Sequence, residues 1–196
     1  MLQGKRKFKM ESNSSSGNKV GSIEVICGPM FSGKTEELLR RINLVKDKSM
    51  LIVKPNADHR YSKTDIVSHP GNSISAIPIM SSQGLLELFK GEEFVFIDEL
   101  QFFDKQIVTI CEELAAKGTI VVAAGLNLDY LGKPFGIMPE MMAKSDIVTK
   151  LLANCSVCGE KANFSQRTNH TKKQIVLGAA ENYTPLCRNC FNANKN

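Results

Sequence analysis

Gly28-Pro29-Met30-Phe31-Ser32-Gly33-Lys34-Thr35 fits the pattern G-x-x-x-x-G-K-[ST], a loop whose chemistry is the cradling of phosphates. Backbone N–H groups and the start of the following helix aim at a polyphosphate. Lys34 reaches the β- and γ-phosphates, and the Thr35 hydroxyl ligates Mg²⁺. A chance match in a flexible loop is the competing reading. The flanks argue against it, because Ile23-Glu24-Val25-Ile26-Cys27 is rich in β-branched residues and Glu36 to Ile42 has helical periodicity. Strand, glycine loop and helix together predict a site for a nucleoside triphosphate.

A second constellation pairs Cys155-x-x-Cys158 with Cys187-x-x-Cys190. Each half places two thiolates on one tight turn, and two such knuckles close a tetrahedral Zn²⁺ site with four sulfur ligands. Four protein ligands leave no open coordination position, so the zinc is expected to be structural. Disulfides are the alternative, disfavoured in a chain with no secretory signal. Cys27 and Cys111 stand in apolar patterns and read as buried, inert thiols.

The third is Phe94-Val95-Phe96-Ile97-Asp98-Glu99, an apolar strand ending in two carboxylates. An acid at the end of such a strand holds Mg²⁺ beside the loop threonine, the role expected of Asp98. Glu99 is then aimed toward the γ-phosphate, where a carboxylate can take a proton from an attacking hydroxyl or water. An isolated pair of this kind is more often a solvated strand terminus.

These groups need elements to hold them. Beyond Ser22, β-rich runs alternate with helical stretches: strand at Met50 to Val53, helix at Gly84 to Lys90, strand at Glu93 to Asp98. Helix follows at Lys105 to Lys117, strand at Thr119 to Ala124, and a helix beginning at Pro139 to Ala143. The alternation predicts an α/β P-loop (RecA-like) fold, a mostly parallel sheet flanked by helices. After Leu152 the composition turns to Cys, Asn, Gln and Lys, which marks a small C-terminal zinc-binding domain. The expected divisions are a disordered leader at 1–20, the nucleotide-binding domain at 21–152, the small zinc-binding domain at 153–191, and a tail at 192–196.

A chain of 196 residues, 42% hydrophobic and 23% charged, is ordinary for a globular protein. No apolar run approaches the roughly 20 residues that span a bilayer, and no signal-peptide core follows the N-terminus, so a cytoplasmic protein without a membrane partner is expected. The net charge of +5 suits anionic substrates, but much of it lies in Lys5, Arg6, Lys7, Lys9 and Lys195.

From Gly21 to Cys190 the chain resembles the type II thymidine kinases. The matching segments are Gly28 to Thr35, Lys54-Pro55-x-x-Asp58-x-Arg60-Tyr61-Ser62, Ile97-Asp98-Glu99-x-Gln101-Phe102-Phe103, Lys133 to Gly136, Gly178-Ala179-x-Glu181-x-Tyr183 and the four cysteines, in collinear order. The resemblance implies phosphoryl transfer from ATP to the 5′-hydroxyl of thymidine, with Glu99 as the general base. Asp98 and Thr35 would serve Mg²⁺, Lys34 the phosphates and Gln101 the nucleotide end of the site. Asp58 and Arg60 would lie in a loop across the phosphates, Arg60 neutralising developing charge; an ordinary surface ion pair is the alternative there.

The resemblance further implies that thymine is read by main-chain amides of a lasso-like loop, here Gln174, Ile175, Val176, Leu177 and Gly178. Met30, Phe102, Tyr130 and Phe135 would line the base or its methyl group, and Tyr183 would hold the ring or sugar. A homotetramer is implied as well. The chain departs from many bacterial members in reading Gly125-Leu126-Asn127 where Asp is common, in Tyr130 where Phe is common, and in a shorter loop between Arg167 and Gln174. Two other classes stay open at this stage. One is a P-loop ATPase whose zinc ribbon grips nucleic acid, although the basic residues do not cluster with aromatics into a strand-binding groove. The other is a non-catalytic zinc-ribbon module, which leaves Lys34, Asp98 and Glu99 unexplained.

Overall fold

The structure, a computed structural model, describes residues 20–56, 65–67, 73–168 and 182–194. Its centre is a six-stranded, all-parallel sheet of order β5-β2-β6-β7-β1-β8. These strands are β1 (Ser22–Cys27), β2 (Met50–Pro55), β5 (Ile77–Ile79), β6 (Phe94–Ile97), β7 (Ile120–Gly125) and β8 (Ile147–Lys150). The short strands β3 (Asp65–Val67) and β4 (Ser73–Ser75) form a separate antiparallel pair between β2 and β5 in the chain.

A parallel sheet is covered on both faces, so its inner strands read as unbroken apolar runs. All four residues of β6 are buried, and so are five of six in β1 and in β7. Alternate side chains then serve two different cores. Val25, Val53, Val95, Ile97, Val121 and Ala123 pack beneath α2 (Gln83–Leu88), α3 (Gln106–Ala116) and α4 (Met138–Lys144). Ile26, Phe94, Phe96, Val122 and Ala124 pack on the other face under α1 (Lys34–Leu44), which buries Leu38, Leu39 and Ile42. Each fully buried aliphatic contributes about 1.5–3 kcal/mol relative to exposure.

Sequence and structure agree on these elements to within a residue or two at each end. Two edge strands escaped the sequence pattern, and both are short: β5, and β8, where Ile147 and Val148 stay exposed. Cys27 and Cys111 are fully buried, and burial pushes the Cys111 thiol up to about 12, which makes it unreactive.

From Ala153 onward the chain builds a separate small core. Strands β9 (Ala153–Asn154) and β10 (Lys161–Ala162) pair, as do β11 (Phe164–Arg167) and β12 (Tyr183–Leu186), with α5 (Arg188–Ala193) closing the end. Phe164 and Phe191 stack at 4.3 Å among Ala153, Ala162 and Leu186. No helix among the described residues is long and apolar enough to cross a membrane.

Candidate functional site

In a parallel sheet, ligands bind beyond the carboxyl ends of the strands, and the chemistry-bearing residues here converge on that edge. The phosphate loop leaves β1, Asp98 and Glu99 leave β6, and Gly125 to Asn127 leave β7, which separates the other two strands. Gly28 is dictated by space: a Cβ there would stand 2.5 Å from the Leu151 carbonyl oxygen and 2.7 Å from Ser32 Oγ. Phe31, at φ 63°, and Gly33, at φ 82°, turn the loop into α1. Gly33 offers no side-chain cap, so the first N–H groups of α1 keep their donors for an incoming ligand.

The groups fit a nucleoside polyphosphate. Ser32 Oγ is buried without a hydrogen-bond partner, as expected of a donor reserved for a phosphate oxygen. Lys34 Nζ donates to the Pro29 carbonyl at 2.7 Å, folded along the loop it serves. Burial pulls the Lys34 pKa down, and the carboxylates of Glu99 and then Asp98 oppose that shift. A cation facing two acids beside a glycine loop can balance the charge of a bound phosphate chain.

Asp98 is half-buried and accepts the Glu99 N–H at 3.0 Å through Oδ1. Burial, reinforced by the neighbouring Glu99, pushes its carboxyl from 3.8 up to about 7. Such a carboxyl gains from a cation, and its oxygens suit Mg²⁺. The folded value lies above the unfolded one, so this group costs stability as pH rises from about 4 to 7, and the cost is complete above 7. Asp98→Asn is therefore expected to raise the melting temperature of the nucleotide-free protein, more at pH 8 than at pH 5. The gain should reach a few kcal/mol at most. Equal or falling melting temperatures at both pH values would contradict it.

Glu99 is exposed at the edge of the site, with its backbone at φ 52°. A residue with a Cβ held in the left-handed region costs about 1–2 kcal/mol, so the surroundings must impose it. Gln101, in the 3-10 turn Leu100–Phe102, is buried, and its amide donates to Glu99 Oε2.

The candidate base-lining aromatics form two groups. Phe102 and Phe135 meet edge to face at 5.7 Å. Tyr130 and Tyr183 are bridged by Arg167, whose guanidinium lies 3.8 Å from the Tyr130 ring centroid and donates to the Tyr183 hydroxyl at 3.1 Å. Arg167 and Ser165 were not singled out by sequence. Both lie on β11, and Ser165 Oγ accepts the Met30 N–H at 2.8 Å, joining the C-terminal unit to the phosphate loop. No motif marks either residue; only the β11–β12 pairing brings Arg167 opposite Tyr183. Asp58 and Arg60, and the loop Gln174, Ile175, Val176, Leu177 and Gly178, lie outside the described residues.

Cys155, Cys158, Cys187 and Cys190 bring their sulfurs within 4.8 Å of one another, and all four are free thiols. Cys158 Sγ lies 3.6 Å from Cys187 Sγ and 3.7 Å from Cys190 Sγ. Zinc–sulfur bonds of about 2.3 Å in a tetrahedron need sulfurs about 3.8 Å apart, so the set fits a metal ion of that kind. Cys187 also caps α5, its sulfur accepting the Cys190 N–H.

By sheet order and loop, the chain is a P-loop nucleotide-binding protein of RecA-like architecture. The family model for thymidine kinase matches residues 21–191. The thymidine kinase of Bacteroides fragilis (strain YCH46) is 51% identical over 174 residues, covering 87% of each chain. That of Rhodothermus sp. (strain ITI 518) is 48% identical over 177 residues, 89% of this chain and 83% of the relative. That of Porphyromonas gingivalis (strain W83 / ATCC BAA-308) is 45% identical over 186 residues, 94% and 91%. A far looser likeness, TM-score 0.36 at 16% identity over 65% of this chain and 35% of the other, is to the Legionella pneumophila ATPase DotB. This chain belongs to the thymidine kinase family.

Proposed function

We propose that the protein is an ATP-dependent thymidine kinase that transfers the γ-phosphoryl group of ATP to the 5′-hydroxyl of thymidine, giving dTMP for DNA precursor synthesis by salvage. The observation that carries this reading is an exposed carboxylate, Glu99, at the end of β6, close enough to Lys34 to raise its proton affinity. Glu99 accepts the 5′-hydroxyl proton as the oxygen attacks. Lys34 and the loop amides from Gly28 to Thr35 hold the phosphates, and Asp58 and Arg60 close over them. Asp98 and Thr35 hold Mg²⁺, which when bound neutralises charge on the β- and γ-phosphates.

Phe102, Tyr130, Phe135, Met30 and Tyr183 form the nucleoside pocket, and backbone amides of 174–178 read the base edge. Residues 21–152 act as the nucleotide-binding unit and 153–191 as the zinc- and thymidine-binding unit, whose Cys155, Cys158, Cys187 and Cys190 hold structural Zn²⁺. The enzyme works in the cytoplasm as a homotetramer, with no nucleic-acid partner.

ATP turnover measured with thymidine, with single-stranded DNA and with neither tests this directly. The expected result is thymidine-dependent release of ADP matched by an equal amount of dTMP, and no stimulation by DNA. Hydrolysis stimulated by DNA without dTMP would replace this reading with that of a nucleic-acid ATPase.

A further inference from the structure

Gln101 follows the acidic pair by two residues and is only 3% exposed, so its carboxamide must find partners inside the protein. The Leu126 N–H donates to its Oε1 at 2.9 Å. An N–H donor cannot face an NH₂ group, so this bond decides which way the amide points. Nε2 is thereby turned toward Glu99, and it donates to Glu99 Oε2. Two close backbone approaches keep the residue in place. A Cβ on Gly125 would come within 2.7 Å of Gln101 Oε1, and one on Gly136 within 2.5 Å of the Gln101 carbonyl oxygen. Gln101 thus sits in a slot cut by two glycines, fixed at one end by the main chain and at the other by Glu99.

We propose that Gln101 is a positioning residue for phosphoryl transfer, aiming the Glu99 carboxylate at the attacking hydroxyl. This rests on the reading of Glu99 as the base. The strand end alone does not aim that side chain: it is exposed, it springs from a left-handed backbone, and its only charge-assisted hydrogen bond among those described comes from Gln101. An exposed glutamate samples several rotamers, and a bond to a donor already fixed by Leu126 selects one of them.

The test is a double-mutant cycle read as separate kcat and KM values. Gln101→Met keeps the volume and loses the donor. It is expected to lower kcat about 10–100-fold, the worth of one hydrogen bond to a charged group, with KM for thymidine and ATP within about threefold of the parent. In a Glu99→Gln background the same change is expected to have little further effect, because no carboxylate is left to aim. Gln101→Glu, which retains the acceptor for Leu126 and puts a like charge beside Glu99, is expected to lose more kcat; should the Met variant fail to fold by thermal melting, the Glu variant decides. An unchanged kcat, a raised KM for ATP with kcat intact, or full additivity with Glu99→Gln would overturn the role of Gln101. A Glu99→Gln enzyme with normal kcat would instead remove the base reading on which it rests.

Discussion

Glu99→Gln is expected to lower kcat by about 10²–10⁴ while thymidine and ATP still bind with near-normal affinity. The substitution keeps the shape and the hydrogen-bonding reach of the side chain, so Gln101 and the backbone at φ 52° need not move. What disappears is the ability to accept a proton in the transition state. The loss should therefore fall on kcat and on kcat/KM together, as for an interaction made only in the transition state. Stopped-flow or radiometric assay at saturating ATP, alongside calorimetric titration of thymidine, separates the two quantities. A variant within threefold of the parent kcat would take Glu99 out of the mechanism, since water alone would then be accepting the proton.

Removal of the metal is expected to have an effect of comparable size by a different route. Among the described residues the C-terminal unit has a core of seven buried residues, two of them the cluster cysteines Cys155 and Cys187, and a core of that size needs a staple. Binding of Zn²⁺ to four thiolates is worth on the order of 10 kcal/mol and is folding free energy for such a unit. The purified protein should carry one Zn²⁺ per chain by elemental analysis, and Cys187→Ser should lose it. That variant removes a ligand and also the cap of α5.

The consequence should reach the phosphate loop. Ser165 accepts the Met30 N–H and Arg167 ties Tyr130 to Tyr183, so loosening β11 withdraws support from both the phosphate loop and the tyrosine pair proposed to hold the nucleoside. Limited proteolysis should show cleavage after residue 153 in the Cys187→Ser protein, and affinity for ATP as well as thymidine should fall. A zinc-free preparation with undiminished thymidine phosphorylation, or a mapped disulfide among these cysteines, would contradict the assignment.

Several features were legible in the residues alone because they depend on local physics. The phosphate loop announces itself through Gly28, where a Cβ has no room, through Gly33, held at φ 82°, and through the strand and helix that flank it. The four cysteines do so through a spacing that few other needs would produce. Phe94 to Ile97 could be read as a central strand because burial on both faces erases alternation, leaving a continuous apolar run.

What tertiary structure decided lies where distant segments meet. Gln101 carries no local mark of the groups it touches; its partner Leu126 is 25 residues away, and only the adjacency of β6 and β7 brings them together. Ser165 and Met30 are 135 residues apart, and Arg167 faces the Tyr130 ring only because β11 folds back beside the loop after β7. The short edge strand β8 has no apolar run to betray it, since a strand at the margin need bury little, and the pairing that defines it comes entirely from β1. Local sequence specifies the groups and the elements that carry them; which groups touch is set by the order in which the parallel strands lie side by side, a long-range property that no short window of residues contains.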